Sequence, residues 1–348
     1  MIATRLQSRP VCTDNDEHRY PRTARQVDTV MEKLKGRIRS LAKAVPVLGR
    51  PYVQREELRA VIKKLWEPPG HFYSPIPALD EVRARETTIF DVSSPSVRGI
   101  DLNEPGQLQL FTALTEFYGE QPFPVTREPG LRYFFENGAF SYFDAIILYA
   151  MIRHLRPKRV IEIGCGYSSC VLLDTNERFF DNRIECTFIE PYPQLLKSLL
   201  KDSDPSRVTV IPSNLQDVDL DVFARLEPND ILFVDSSHVA KTGSDVNYVF
   251  FDILPRLMPG VIIHFHDIFH PFEYPKAWVY QGRSWNEAYL LHAFLQYNDA
   301  FAIELSNSFV EHFHRDLVSR GMPLCLNYAK ESMIPTSAQS IWLKKLRG

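Results

Sequence analysis

The stretch Arg159-Val160-Ile161-Glu162-Ile163-Gly164-Cys165-Gly166-Tyr167-Ser168-Ser169 decides the architecture. A run rich in β-branched apolar residues ends in Gly-x-Gly, and two serines follow. This reads as a strand turning sharply into a helix, because glycine lets the backbone bend and approach a ligand closely. Ser168 and Ser169 are placed to cap that helix, whose free N–H groups favour a carboxylate or phosphate. The alternation continues downstream: Glu185–Ile189, Val208–Ile211, Ile231–Val234 and Val261–His264 read as further strands. Between them lie helical stretches, the clearest through Val246, Val249, Phe250, Ile253, Leu254 and Leu257 behind a Ser244 cap. Apolar β-runs this continuous suit strands buried on both faces. The spacing predicts an α/β fold, a Rossmann-like doubly wound and mostly parallel sheet with flanking helices.

Upstream the pattern changes. Helical periodicity over Leu110, Phe111, Leu114, Phe117 and Tyr118, and again from Phe143 to Leu155, predicts two helices before the first strand. Glu67 to Pro77 is rich in proline, so neither helix nor central strand fits there. Residues 22–64 carry twelve Lys/Arg against four Asp/Glu, and Met31, Leu34, Ile38, Leu41 and Val45 recur at helical spacing. We expect a basic helical extension over 1–66, a proline-rich connector with a helical cap over 67–130, and the sheet domain over 131–348. The basic helix packs on its own protein or a second copy; a peripheral membrane contact through 31–45 is the alternative, which Gly36 and Pro46 disfavour.

The 348 residues suffice for a large core, and 24% charged residues are ordinary for a soluble chain. A net charge of −3 offers no field for nucleic acid. The longest apolar run, Ala145–Ile152, is far short of the ~20 residues a membrane span needs. No signal-peptide pattern opens the chain, and the five cysteines form no CxxC pair, so we expect reduced thiols and a cytoplasmic location.

In sheets of this kind ligands gather beyond the carboxyl ends of the strands. The first such end carries Glu162, Gly164 and Gly166. Ser169 stands where a dinucleotide fingerprint has its third glycine, which argues against NAD. The second end carries Glu190, an acid able to accept both hydroxyl hydrogens of a ribose. The third carries Gln216 and Asp217, groups able to read an adenine amino group. The fourth carries Asp235. This ordered set, over roughly residues 130–345, resembles the class I S-adenosylmethionine-dependent methyltransferases. Gly70–Pro77, Phe233–Tyr248 and His264–Tyr274 also look like a bacterial group of that class with no assigned substrate. The resemblance implies that Gly164 and Gly166 pass under the methionine part of the cofactor, with Glu162, Ser168 and Asp235 beside it. Glu190 would hold the ribose, Gln216 or Asp217 the adenine, and Tyr133–Ser141 would close over the whole.

The fourth and fifth strand ends also bring together Asp235, His238, His266 and Asp267, a dense set of titratable groups for a chain with ten His. Two readings share them. In one, Asp235 and Asp267, helped by His266, bind Mg²⁺ or another divalent cation that acidifies an acceptor hydroxyl; this is similar to metal-dependent O-methyltransferases of small molecules. In the other, His238 is the general base, oriented by Asp235 or Asp267. Both favour O-methylation of a small molecule or glycan precursor. Phe272–Tyr280 is expected as an aromatic acceptor lid, with Arg283 and nearby aromatics able to stack on a sugar. A helix from Trp285 is expected to pack the sheet. Two rivals are a metal-dependent oxygenase using two His and an acid, and a non-catalytic cofactor-binding protein that assembles through its N-terminal helix, for which a homo-oligomer is one form.

Overall fold

The computed structural model describes residues 65–347. The expected basic helix, with any membrane contact through 31–45, lies outside them. The chain divides into two compact units, with the boundary between Ser74 and Pro75. In the described part of the first, Trp66 and Tyr73 stack at 5.1 Å, and the backbone turns at Pro68, whose carbonyl accepts from His71 N. Glu67–Pro77 forms neither helix nor strand.

The second unit is built on one seven-stranded sheet: β1 (Arg159–Ile163), β2 (Glu185–Ile189), β3 (Val208–Ile211), β4 (Ile231–Val234), β5 (Ile262–Phe265), β6 (Phe301–Ser306) and β7 (Ile341–Lys345). Their order is β3-β2-β1-β4-β5-β7-β6. β1 to β5 run parallel, and β7 is antiparallel to both its neighbours. Chain order reverses between β1, which continues to β2 on one side, and β4 on the other. A crevice therefore opens above the carboxyl ends of β1 and β4. β5 begins one residue later than the run at Val261 suggests.

The helices that position the site are α1 (Glu104–Tyr118), α2 (Tyr142–Leu155), α3 (Tyr167–Phe180), α4 (Gln194–Leu199), α5 (Asp245–Tyr248), α6 (Lys276–Tyr280) and α7 (Glu287–Leu295). α2 is apolar on nearly every face and buried from Tyr142 to Ile152, with Asp144 its one buried acid. It ends at Arg156 in the left-handed region, ahead of Pro157. Ser244 accepts from Asn247 N and opens α5, but the single helix expected there breaks into a π turn over Val249–Ile253. Pro255 follows two residues later; its ring and missing N–H disrupt the regular ladder.

The expected boundaries at 66/67 and 130/131 differ from the observed division. α1 is no separate cap: Phe111 and Leu114 are fully buried in the common core, and Gln107 Oε1 accepts from Ser306 N at the end of β6. No helix among the described residues is long and apolar enough to cross a membrane.

Candidate active site

Gly164 sits at the β1 end with φ +77°, and a Cβ there would lie 1.9 Å from the Asp235 carbonyl oxygen. Only glycine fits so close an approach of two backbones. Gly164 N donates to Ile189 O, and Asp235 N to Ile163 O, so the ends of β2, β1 and β4 are tied edge to edge. Beyond them lies a cavity of about 400 Å³, lined among others by Gly164, Glu190, Asn214, Gln216, Asp235 and Lys241. One Glu190 oxygen accepts from Tyr192 N at 2.8 Å. The Gln216 amide donates to Gly243 O at 2.6 Å, closing the wall.

The other expected cofactor residues stand off this wall. Glu162 is buried and accepts from Ser168 Oγ at 2.5 Å. Burial raises its pKa to about 8, against hydrogen bonds from Ser168 and Ser169, so near neutral pH it is largely uncharged. Gly166 N donates to Ser169 Oγ at the start of α3, so Ser169 does the capping while Ser168 serves Glu162. Asp217 accepts from Asn214 Nδ2 at 3.1 Å.

Tyr133–Ser141 packs on the same loop. Phe134 meets Tyr167 edge to face, and Phe140 lies against Phe233 and His266. The segment is anchored by Arg132, whose buried guanidinium holds Asp204 through Nε (2.8 Å) and Nη2 (2.5 Å) and Asp174 through Nη1 (2.6 Å). Asp174 also accepts from the backbone N–H groups of Arg132 and Tyr133.

At the β4 and β5 ends, His238 and Asp267 both adopt left-handed backbone, φ 58° and 57°. Such conformations in non-glycine residues cost energy and concentrate at functional sites. His238 Nδ1 lies 2.8 Å from Glu287 Oε2, on the first turn of α7. Its Nε2 faces Asp235 (3.3 Å) and Asp267 (3.5 Å). Ser236 Oγ donates to the second Glu287 oxygen at 2.8 Å and accepts from His238 N. Burial opposes charging His238, but the bonds to Asp235 and Glu287 and the nearby Asp267 outweigh it and hold the imidazole pKa well above its usual value. Asp267 is pushed up by burial and held back by His266 and His238. Asp235 remains low, because His238 and His266 more than offset its burial.

His266 occupies a different niche. Its Nδ1 lies 3.2 Å from Ser340 Oγ and 3.4 Å from Asp144, and its Nε2 3.5 Å from Asp267. Burial raises Asp144 to about 6, with the His266 charge and Asn307 pulling it down. His264 is fully buried against Phe233 (3.8 Å) and Trp342 (4.6 Å), and burial drives its pKa well below the usual value.

The donors that converge are Asp235, His238 and Asp267, all within 4.8 Å of one another. His238 takes the place in this group that the sequence reading gave to His266. Asp235 and Asp267 both face His238 Nε2, and Glu287 adds a shorter contact at Nδ1 that the sequence reading did not include. Glu287 and Asp144 escape sequence reasoning: an acid near a helix start reads as a response to the helix dipole. The one available signal is that each is the single acid of a mainly apolar helix.

This strand order, with its antiparallel seventh strand and its Gly-x-Gly turn after β1, is the Rossmann-like fold of the class I methyltransferases. Residues 161–268 match the family model described as a methyltransferase domain. The chain belongs to the class I S-adenosylmethionine-dependent methyltransferases. An uncharacterized protein of Archaeoglobus fulgidus is 42% identical over 169 residues, 47% of this chain and 75% of the relative. Among solved structures, the SAH-bound methyltransferase PaMTH1 of Podospora anserina is 15% identical, covering 78% of this chain and 98% of that one with a TM-score of 0.39. The O-methyltransferase TomG of Streptomyces achromogenes, involved in tomaymycin synthesis, is also 15% identical, covering 78% and 96% with a TM-score of 0.37.

The cofactor fits the residues present: a glycine cradle that admits no side chain, and an acid on the cavity wall with one oxygen already oriented. Glu190→Ala is expected to weaken S-adenosylhomocysteine binding by about 1–3 kcal/mol, the loss of charged hydrogen bonds. Calorimetry checks this, and unchanged affinity refutes the ribose role.

Proposed function

We propose that the enzyme methylates a hydroxyl oxygen of a small molecule or glycan precursor, with His238 managing the acceptor proton. The observation that carries this is the Glu287–His238 pair at 2.8 Å, with the other ring nitrogen turned toward Asp235 and Asp267. A hydroxyl is a poor nucleophile until it loses its proton, whereas an amine is nucleophilic once neutral. A built proton acceptor therefore favours oxygen.

S-adenosylmethionine, when bound, supplies an activated methyl group on a sulfonium centre. Glu287 retains the proton at Nδ1 and so fixes the tautomer of His238. Once His238 has lost its Nε2 proton to solvent, Nε2 accepts the proton of the acceptor hydroxyl, and the carboxylates of Asp235 and Asp267 stabilise the imidazolium that forms. Asp235 and Asp267 border the space beside Nε2 that the acceptor hydroxyl would enter.

As the alternative to His238 acting as the base, Asp235, His238 Nε2 and Asp267 fit a divalent cation, two hard oxygens and one imidazole nitrogen. A cation held there would acidify the hydroxyl directly. The iron-triad alternative needs two histidines and one acid, and the converging group has one histidine and two acids. A reducing, cytoplasmic setting is supported by the free thiols of Cys165, Cys170, Cys186 and Cys325.

The test is transfer of a labelled methyl group to fractionated polar metabolites and glycan precursors, followed by analysis of the bond formed. A methyl ether supports the proposal; a methyl ester, N-methyl products, or cofactor binding with no transfer, overturn it. For the cation, EDTA is expected to lower turnover at least about tenfold, and Mg²⁺ or Mn²⁺ to restore it. Asp267→Asn should raise the Mg²⁺ concentration needed. Turnover indifferent to EDTA removes the cation.

A further inference from the structure

Trp278 on α6 and Trp285 just before α7 meet edge to face with centroids 5.4 Å apart, and the Arg283 guanidinium lies over both rings, 4.2 Å from the first and 4.7 Å from the second. Its side-chain hydrogen bond among the described residues is Nε to Gln281 Oε1 at 2.9 Å. The terminal N–H groups of the fork make no ion pair or hydrogen bond among those residues. Trp285 is also the ring that packs on His238, at 4.3 Å. A partly exposed arginine is thus held rigid by two indoles, one ring away from the proton-handling imidazole, with its two best donors unused.

We propose that Arg283 anchors an anionic group, a carboxylate or a phosphate, carried by the methyl acceptor. The inference rests on the methyl-transfer reading above and names the substrate class for it. A planar fork with two parallel donors matches a carboxylate or phosphate in a two-pronged grip that lysine lacks. Stacking on both indoles lowers the cost of ordering the long side chain, so less binding energy is lost on contact. Charge then sets the direction of the acceptor. Asp235, Asp267 and Glu287 repel an anion from the reacting centre, and Arg283 attracts it to one side, which leaves the hydroxyl end facing His238. The indole faces turned to the guanidinium are taken, so a sugar ring stacked there, as the aromatic sequence suggests, is displaced by this arrangement. Arg283 lies outside the stretch 161–268 that matches the general domain, as expected of a residue that serves the acceptor and not the cofactor.

The test uses the full chain loaded with S-adenosylhomocysteine, titrated calorimetrically with inorganic phosphate, acetate and the neutral isostere acetamide. Saturable binding of phosphate or acetate, absent for acetamide, is expected, and the tighter anion identifies the source. Arg283→Gln should weaken that anion roughly tenfold or more while S-adenosylhomocysteine affinity stays unchanged. Arg283→Lys, which keeps stem and charge, should weaken it by about threefold through loss of the fork, and it decides the matter if the glutamine variant does not fold. Wild-type affinity in both variants, or no saturable response to either anion in the loaded protein, overturns the proposal alone. Failure of the wild-type chain to bind S-adenosylhomocysteine removes the methyl-transfer reading and this proposal with it.

Discussion

Replacing His238 with alanine is expected to lower turnover by ~10²–10⁴-fold while leaving S-adenosylhomocysteine affinity unchanged. The separation of the two effects is the informative part. His238 does not line the cofactor cavity, whereas Asp235 does, so a loss confined to turnover places the imidazole on the acceptor side. Glu287→Gln should act on the same step through another route. It removes one of the charges that hold the His238 proton and weakens control of the tautomer. The wild-type rate should rise with pH as His238 loses its proton, with a midpoint above the ordinary imidazole value because the surrounding carboxylates favour the charged form. In Glu287→Gln the midpoint should move to lower pH and the plateau should fall by about tenfold or more. A pH–rate profile of both proteins checks this. A plateau and midpoint equal to wild type would leave Glu287 a packing residue, and full activity in His238→Ala would end its role in proton transfer.

The second large effect concerns stability. Arg132→Ala should destabilise the fold by about 3–5 kcal/mol, since it leaves two buried carboxylates without their cation. Asp204 loses a bidentate partner, and Asp174 keeps only backbone donors. The deficit should shrink as pH falls from neutral toward 4. Burial already raises the pKa of Asp174, and the variant removes the guanidinium that does most to hold Asp204 low, so both acids take up protons more readily in the folded variant than in the folded wild type and the deficit narrows. Urea unfolding at two pH values measures this directly. A midpoint shift that is small, or that grows with acid, would show that water or Lys201 replaces the guanidinium. Arg132 also pins the segment that runs to Phe140, so part of the cofactor loop should loosen along with it.

Much of this was readable in the chain beforehand. The bounds of β1 to β4 follow from short apolar runs stopped by glycine, acid or proline, because parallel strands buried on both faces show up as local composition. β6 and β7 do not. Phe301, Ile303 and Leu305 alternate as a strand should, but the partner of β6 lies beyond residue 340, and pairing over such separations leaves no local mark. The same limit governs the site. Gly164, Glu190 and Asp235 could be lined up because each follows a strand in order. His238 and His266 could not be ranked, because which of them meets the two aspartates depends on the turn each strand makes as it ends. Left-handed backbone at His238 swings its ring toward Asp235 and Asp267, while His266 still continues the ladder through its N–H to Val234 O. Glu287 was hidden for a different reason: its contact with His238 spans 49 residues.

That span is bridged by backbone as well as side chain. The carbonyl oxygen of His238 accepts from the N–H groups of both Asn286 and Glu287, and Asn286 in turn holds Ala240. The helix bearing the acid is thus hung from the very residue that the acid steers. Whatever happens to the intervening loops, acid and imidazole travel as one piece. Lengthening, trimming or exchanging the segments between them would alter which acceptors are admitted without detuning the pair, a division that lets one catalytic core be refitted to new substrates.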